Sequence, residues 1–130
     1  MDLEALRQAE AFFCQWKPEL VPVARAFLDR CLERWPETAV VTQKSQVGLR
    51  DPRPYCALWP PTHGGFRRRP RDFLVVSLFL PERLDSPRVE AAVEPYPGRW
   101  TTHLLLSAPE EVDEELLEWV AQARRFRCGR

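Results

Sequence analysis

The run Asp72-Phe73-Leu74-Val75-Val76-Ser77-Leu78-Phe79-Leu80-Pro81 limits the folds open to this chain more than any other stretch. Between its polar start and its closing proline only Ser77 is not apolar. The run is too short for a capped, buried helix, and Val75 and Val76 are β-branched, which suits a pleated surface better than a helical one. Alternation sends Phe73, Val75, Ser77 and Phe79 to one face and Leu74, Val76, Leu78 and Leu80 to the other. Both sets are mostly apolar, so the run predicts a central strand covered at least partly on both faces. An edge strand would carry charge or an internal proline, whereas Pro70 and Pro81 lie outside and end the run.

The flanking sequence supplies the rest of the layer and its cover. Leu3, Leu6, Ala9 and Phe13 recur at helical spacing, with Phe12 and Trp16 widening the stripe, and predict a helix over 2–16. A second helix over 18–35 starts at Pro18, buries Leu20, Val23, Ala24, Phe27, Leu28, Cys31 and Leu32, and stops at Trp35 before Pro36. Strand-prone runs follow at Thr38–Thr42, Ser45–Arg50 and Tyr55–Trp59, separated by a turn at Asp51-Pro52-Arg53-Pro54. After the central strand, Pro81–Arg99 reads as irregular, with Arg88–Val93 a short strand or a helical turn. Trp100–Ser107 is the last strand. A third helix over 110–127 opens with Ser107-Ala108-Pro109-Glu110, which has the form of a capping box, with Asp113 a second candidate cap. Acidic residues crowd its start, Arg124, Arg125 and Arg127 its end, and Gly129 stops it. Helices at the two ends of a run of about five strands predict one α+β domain over 1–130, with an antiparallel sheet, two N-terminal helices and one C-terminal helix.

Charge narrows the function. Lys plus Arg and Asp plus Glu both number 19, so the formal net charge is zero, which argues against a dedicated nucleic-acid binder. The sequence has no apolar run long enough for a membrane span, and Met1-Asp2-Leu3-Glu4 lacks the basic-then-apolar layout of a secretory signal, so the expected setting is cytoplasmic, with no membrane partner. The four cysteines form no Cys-x-x-Cys pair. Cys14, Cys31 and Cys56 are expected to be buried thiols and Cys128 an exposed one.

No motif names a reaction. There is no glycine-rich dinucleotide loop, no phosphate-cradling Gly-Lys-Ser/Thr and no His-Glu-x-x-His, so neither a cofactor, a metal nor a catalytic residue is assigned. His63 sits in a Gly-flanked loop and is most simply solvated. His103 shares a face of the last strand with Thr101 and Leu105. It is either a structural hydrogen-bonder or, because its charge changes near neutral pH, a ligand contact or acid/base group. Lys44 with Gln46, and Arg99, are candidate neighbours that would favour an anionic ligand. Tyr55, Trp59 and Trp100 are core or rim aromatics, with stacking on a ligand the alternative for Tyr55. Arg67, Arg68, Arg69 and Arg71 form a basic loop that is either solvated or a contact for phosphates or an acidic partner.

Gln43-Lys44-Ser45 ahead of a strand, Pro54-Tyr55-Cys56-Ala57-Leu58-Trp59, Arg99 with His103, and Ser107 through Ala123 together form a recognisable pattern. Over Val40 to Phe126 the chain resembles a bacterial domain of unknown function, number 5655 in its series. The resemblance implies an α+β fold with one antiparallel sheet and brings no activity, cofactor or catalytic residue. Where that family continues its last helix with Ala-Tyr, Arg124 follows Ala123 here. The expectation is a small non-enzymatic binding or interaction module for an anionic small molecule or a protein partner. The alternatives are an enzyme using His103 as acid/base, or a nucleic-acid contact through Arg67–Arg71.

Overall fold

A computed structural model describes residues 2–61 and 72–129. His63 and the basic residues Arg67, Arg68, Arg69 and Arg71 lie outside the described residues. The central apolar run forms β4 (Leu74–Leu80). It pairs with β3 (Pro54–Trp59) on one side and β6 (Arg99–Leu106) on the other. With β1 (Ala39–Thr42), β2 (Val47–Arg50) and β5 (Val89–Tyr96), the described strands make a six-stranded antiparallel sheet in the order β1-β2-β3-β4-β6-β5. The sheet therefore has six strands where about five were expected from the alternation of helix and strand runs.

The extra strand is β5, whose alternation is hard to see in the sequence for physical reasons. Its register against β6 shifts twice, between Val89 and Ala91 and between Val93 and Tyr96, so no period-2 pattern survives along its length. Pro95 is tolerated because β5 is an edge strand with one unpaired side. The turn to β6 is made by Pro97 and Gly98, and Gly98 adopts φ 75°, open to glycine at little cost.

All three helices contribute to one apolar cluster with a single face of the sheet. Helix α1 (Leu3–Trp16) gives Leu6, Ala9 and Phe13, α2 (Val21–Arg34) gives Val23 to Leu32, and α3 (Glu114–Cys128) gives Leu116, Leu117, Val120 and Ala123. They cover Leu74, Val76, Leu78 and Leu80 of β4, and burial of each such leucine contributes about 1.5–3 kcal/mol. Asp2 caps α1 by accepting from the amides of Glu4 and Ala5. A 3-10 turn, Pro18–Leu20, separates α1 from α2, and α2 ends at Trp35 ahead of Pro36. At the third helix, Asp113 is the cap, accepting from Leu116 at 3.0 Å. The expected Ser107–Glu110 box is not the cap. The carboxylate of Glu111 instead accepts from the amides of Ser107 (2.6 Å) and Ala108 (3.3 Å) across a 3-10 turn. Gly129 closes α3 in the left-handed region.

Cys31 and Cys56 are buried as expected, and Cys128 is half-buried. Cys14 is exposed, contrary to expectation. It lies one position beyond Phe13, so the helical turn of about 100° per residue carries it off the buried stripe. Among the described residues no helix is long and apolar enough to cross a membrane.

Candidate functional site

The face of the sheet opposite the helix-packed cluster carries the polar groups. Register places Gly48, Ala57, Ser77, His103 and Ala91 in one transverse row across β2, β3, β4, β6 and β5. Ala57, Val75 and Ser77 are buried yet lie outside the helix-packed cluster, as the two-faced reading of the central strand requires. On this face Trp59 Nε1 donates to Ser77 Oγ at 2.8 Å, and Ser77 Oγ lies 2.8 Å from His103 Nδ1. The Trp59 and His103 rings also meet edge-to-face at 5.8 Å. Burial pushes the imidazole pKa below its ordinary 6.5 and so favours the neutral ring. A neutral ring protonated on Nε2 accepts the Ser77 hydroxyl proton at Nδ1, while Trp59 fills a lone pair of the same oxygen.

A concavity opens at the turn end of β5 and β6, where they approach the last turn of α3. This cleft of about 300 Å³ is walled by Phe79, Trp100, Tyr96 and Phe126, with Pro54, Leu80 and Pro95 beside them. Its remaining described lining is Arg99, Thr101 and Arg127, so among the described residues it carries two guanidinium groups and no carboxylate. Arg127 is fixed by a bond from Nε to the Pro54 carbonyl at 3.2 Å, and its two terminal nitrogens have no acceptor among the described residues. Arg99 is exposed and makes no hydrogen bond or ion pair with a described residue. Tyr96 is 65% exposed although it is a large aromatic.

The residues singled out in the sequence fall in four places. Arg99 lines the cleft. His103 lies on the same face of β6 but in the next row, behind Thr101, paired with Ser77. Lys44 and Gln46 sit in the β1–β2 turn, at the other edge of the sheet and the other end of its strands. There Gln46 donates to Gln43 at 2.8 Å, and Lys44 borders a shallow hollow with Phe12, Trp16 and Pro60. Lys44, Arg99 and His103 thus do not share one concavity. Tyr55 is fully buried, its hydroxyl 2.8 Å from Thr38 Oγ1 and its ring edge-on to Trp35. The register shift between β2 and β3 turns both Tyr55 and Cys56 toward the core, removing Tyr55 from any ligand-facing surface. Among the described residues, no group of three or more His, Cys, Asp or Glu is placed to hold a metal ion.

Ser77, Arg127, Tyr96 and Phe126 did not stand out in the sequence. Ser77 carried one signal, as the single polar residue in the central run. Arg127 was hidden among charges that answer the helix dipole, and Tyr96 lay in a stretch read as irregular.

A family model described as a domain of unknown function, DUF5655, matches residues 9–126. No curated protein and no solved structure matches the chain.

Proposed function

We propose, from the premise that this chain belongs to the DUF5655 family, that it is a small non-enzymatic binding module whose ligand is an organic anion held in the cleft beside Arg99 and Arg127. The observation that supports this most is the lining of the cleft: two guanidinium groups with no carboxylate partner among the described residues, set among four aromatic rings. Ligand pockets are typically apolar walls with a few placed polar groups, and this cleft lies at the small end of their size range. Guanidinium forks suit carboxylate and phosphate oxygens, and aromatic walls suit a flat apolar body.

The test is a thermal-shift screen of small organic acids on the wild-type chain and on Arg99→Ala. Ligand at about 100 times its Kd stabilises the folded state by about 2.7 kcal/mol. The expected result is that acids raising the wild-type melting temperature lose most of that effect in the variant. Equal stabilisation of both proteins would remove the reading.

A second reading, acid/base chemistry at His103, has one observation in its favour: Ser77 Oγ and His103 Nδ1 are within hydrogen-bond reach. Against it, Ser77 is only 4% exposed. It also sits mid-ladder between β3 and β6, so its strand amides are engaged in pairing and not open as oxyanion donors. Failure of a fluorophosphonate probe to label Ser77 would leave the binding reading alone.

A further inference from the structure

We infer that the cleft selects a doubly charged oxyanion on a flat ring, a phosphate monoester, over singly charged anions of the same shape; this rests on the anion-binding reading above. Two guanidinium groups line one space of about 300 Å³, Arg99 from β6 and Arg127 from the last turn of α3. Arg127 uses only Nε, on the Pro54 carbonyl, and its terminal nitrogens meet no acceptor among the described residues. Arg99 makes no hydrogen bond or ion pair with a described residue. Elsewhere the pattern is the reverse: Arg25, Arg30, Arg88 and Arg124 each meet a carboxylate. The cleft thus holds two positive charges that no described carboxylate balances. A ligand with a charge near −2 balances both, and a monoanion leaves one over.

Attraction to each guanidinium scales with the charge of the ligand. A phosphate monoester carries about −1.5 to −2 at neutral pH, whereas a sulfate ester or a carboxylate carries a single charge. Dehydration works against the higher charge. Its weight is limited here because Arg99 is exposed and Thr101 half-buried, so an anion beside them keeps part of its water. Guanidinium is itself weakly hydrated, which lowers the cost of pairing further. Phe79, Trp100, Tyr96 and Phe126 dry the ring, and that contribution is common to every ligand of one shape. Oxygen count points the same way. One guanidinium fork fills the two oxygens of a carboxylate, while a phosphoryl group has three, enough to engage two forks at once. Clustered arginines are a recurring means of holding phosphoryl groups where no helix N-terminus is at hand.

Isothermal titration calorimetry at low salt and pH 7.5 tests this with four probes on one ring: 1-naphthyl phosphate, 1-naphthyl sulfate, 1-naphthoate and the neutral 1-naphthamide. The phosphate and the sulfate share a tetrahedral shape and differ in charge, so their ratio isolates the charge effect. The expected order is phosphate tightest, sulfate and naphthoate about tenfold weaker, and the amide weaker still. Arg99→Gln, at an exposed position where folding is not at stake, should cost the monoanions about tenfold and the phosphate about thirtyfold. The phosphate-to-sulfate ratio then falls to about threefold, half its logarithm, because one of two guanidinium groups remains. Sulfate binding as tightly as phosphate, or a ratio unchanged in Arg99→Gln, would overturn the two-arginine selectivity and leave the anion-binding reading standing. Equal binding of the amide, or no binding of any probe, would overturn both.

Discussion

The β5–β6 hairpin carries an arginine near each of its ends, and the two are used in opposite ways. At the open end Arg88 Nη1 donates to Asp113 Oδ1 (2.9 Å), Asp113 Oδ2 (3.1 Å) and Glu115 (2.9 Å), while Nη2 donates to the Glu111 carbonyl (2.9 Å). Its guanidinium also lies 5.5 Å from the ring centroid of Trp119. Burial works to raise the Asp113 carboxyl, but the Leu116 amide and Arg88 outweigh it and hold the acid below its ordinary value. At the turn end, Arg99 has no such partner among the described residues. The first arginine is a brace that docks the sheet edge on the start of α3. The second is charge left available beside an apolar cleft. A cation near a hairpin end therefore says little until its partners are known, because only an unpaired guanidinium can meet a ligand without first breaking the fold.

Breaking a brace should cost stability and spare binding. The largest such effect belongs to Arg124, which reaches across from α3 to Asp51 at 2.6 Å with both side chains about nine-tenths buried, its guanidinium 5.8 Å from the Trp35 ring centroid. Arg124→Ala leaves Asp51 without this ion pair in a dry site and should lower the unfolding free energy by about 3–5 kcal/mol in urea melts. Arg88→Ala should cost about 1–2 kcal/mol, since its partners are half-exposed and screened. Naphthoate affinity should stay within about twofold in Arg88→Ala. A loss of affinity there would erase the distinction between the two ends.

His103 gives a smaller, pH-dependent effect. Its folded pKa lies below the ordinary 6.5, so the unfolded chain binds the proton more readily. Stability is then undiminished above about pH 6.5 and falls as pH drops from there toward the folded value. Melting temperatures of wild type and His103→Gln between pH 7.5 and 5 should diverge least at pH 5, where the wild type has lost this contribution. Parallel curves would mean that the Ser77–His103 pairing does not discriminate protonation states.

Much of the architecture was legible because it rests on periodicity. The central run, the two N-terminal amphipathic patterns and the acidic-to-basic polarity of α3 each state their element locally. β5 was legible only as one of two alternatives, a short strand or a helical turn at Arg88–Val93, because two register shifts and Pro95 erase its alternation. The site was legible only in part. Arg99 and His103 could be placed on one face of β6 by counting twos, but the partners that give them meaning come from distant segments. Ser77 reaches His103 from 26 positions away, and Arg127 reaches the cleft only because α3 folds back across the sheet end to the Pro54 carbonyl. Arg124 was visible as a departure in the last helix, yet its tie to Asp51 spans 73 positions, and no local pattern encodes that pairing.

The smallest stability effect should come from Arg99, where the loss of ligand should be greatest. Arg99→Ala should be measured in paired experiments, a urea melt and a calorimetric titration with 1-naphthoate. The account predicts stability within about 0.5 kcal/mol of wild type together with a loss of affinity of about tenfold, or roughly 1.4 kcal/mol. A variant that unfolds as readily as Arg88→Ala while binding naphthoate like wild type would contradict it.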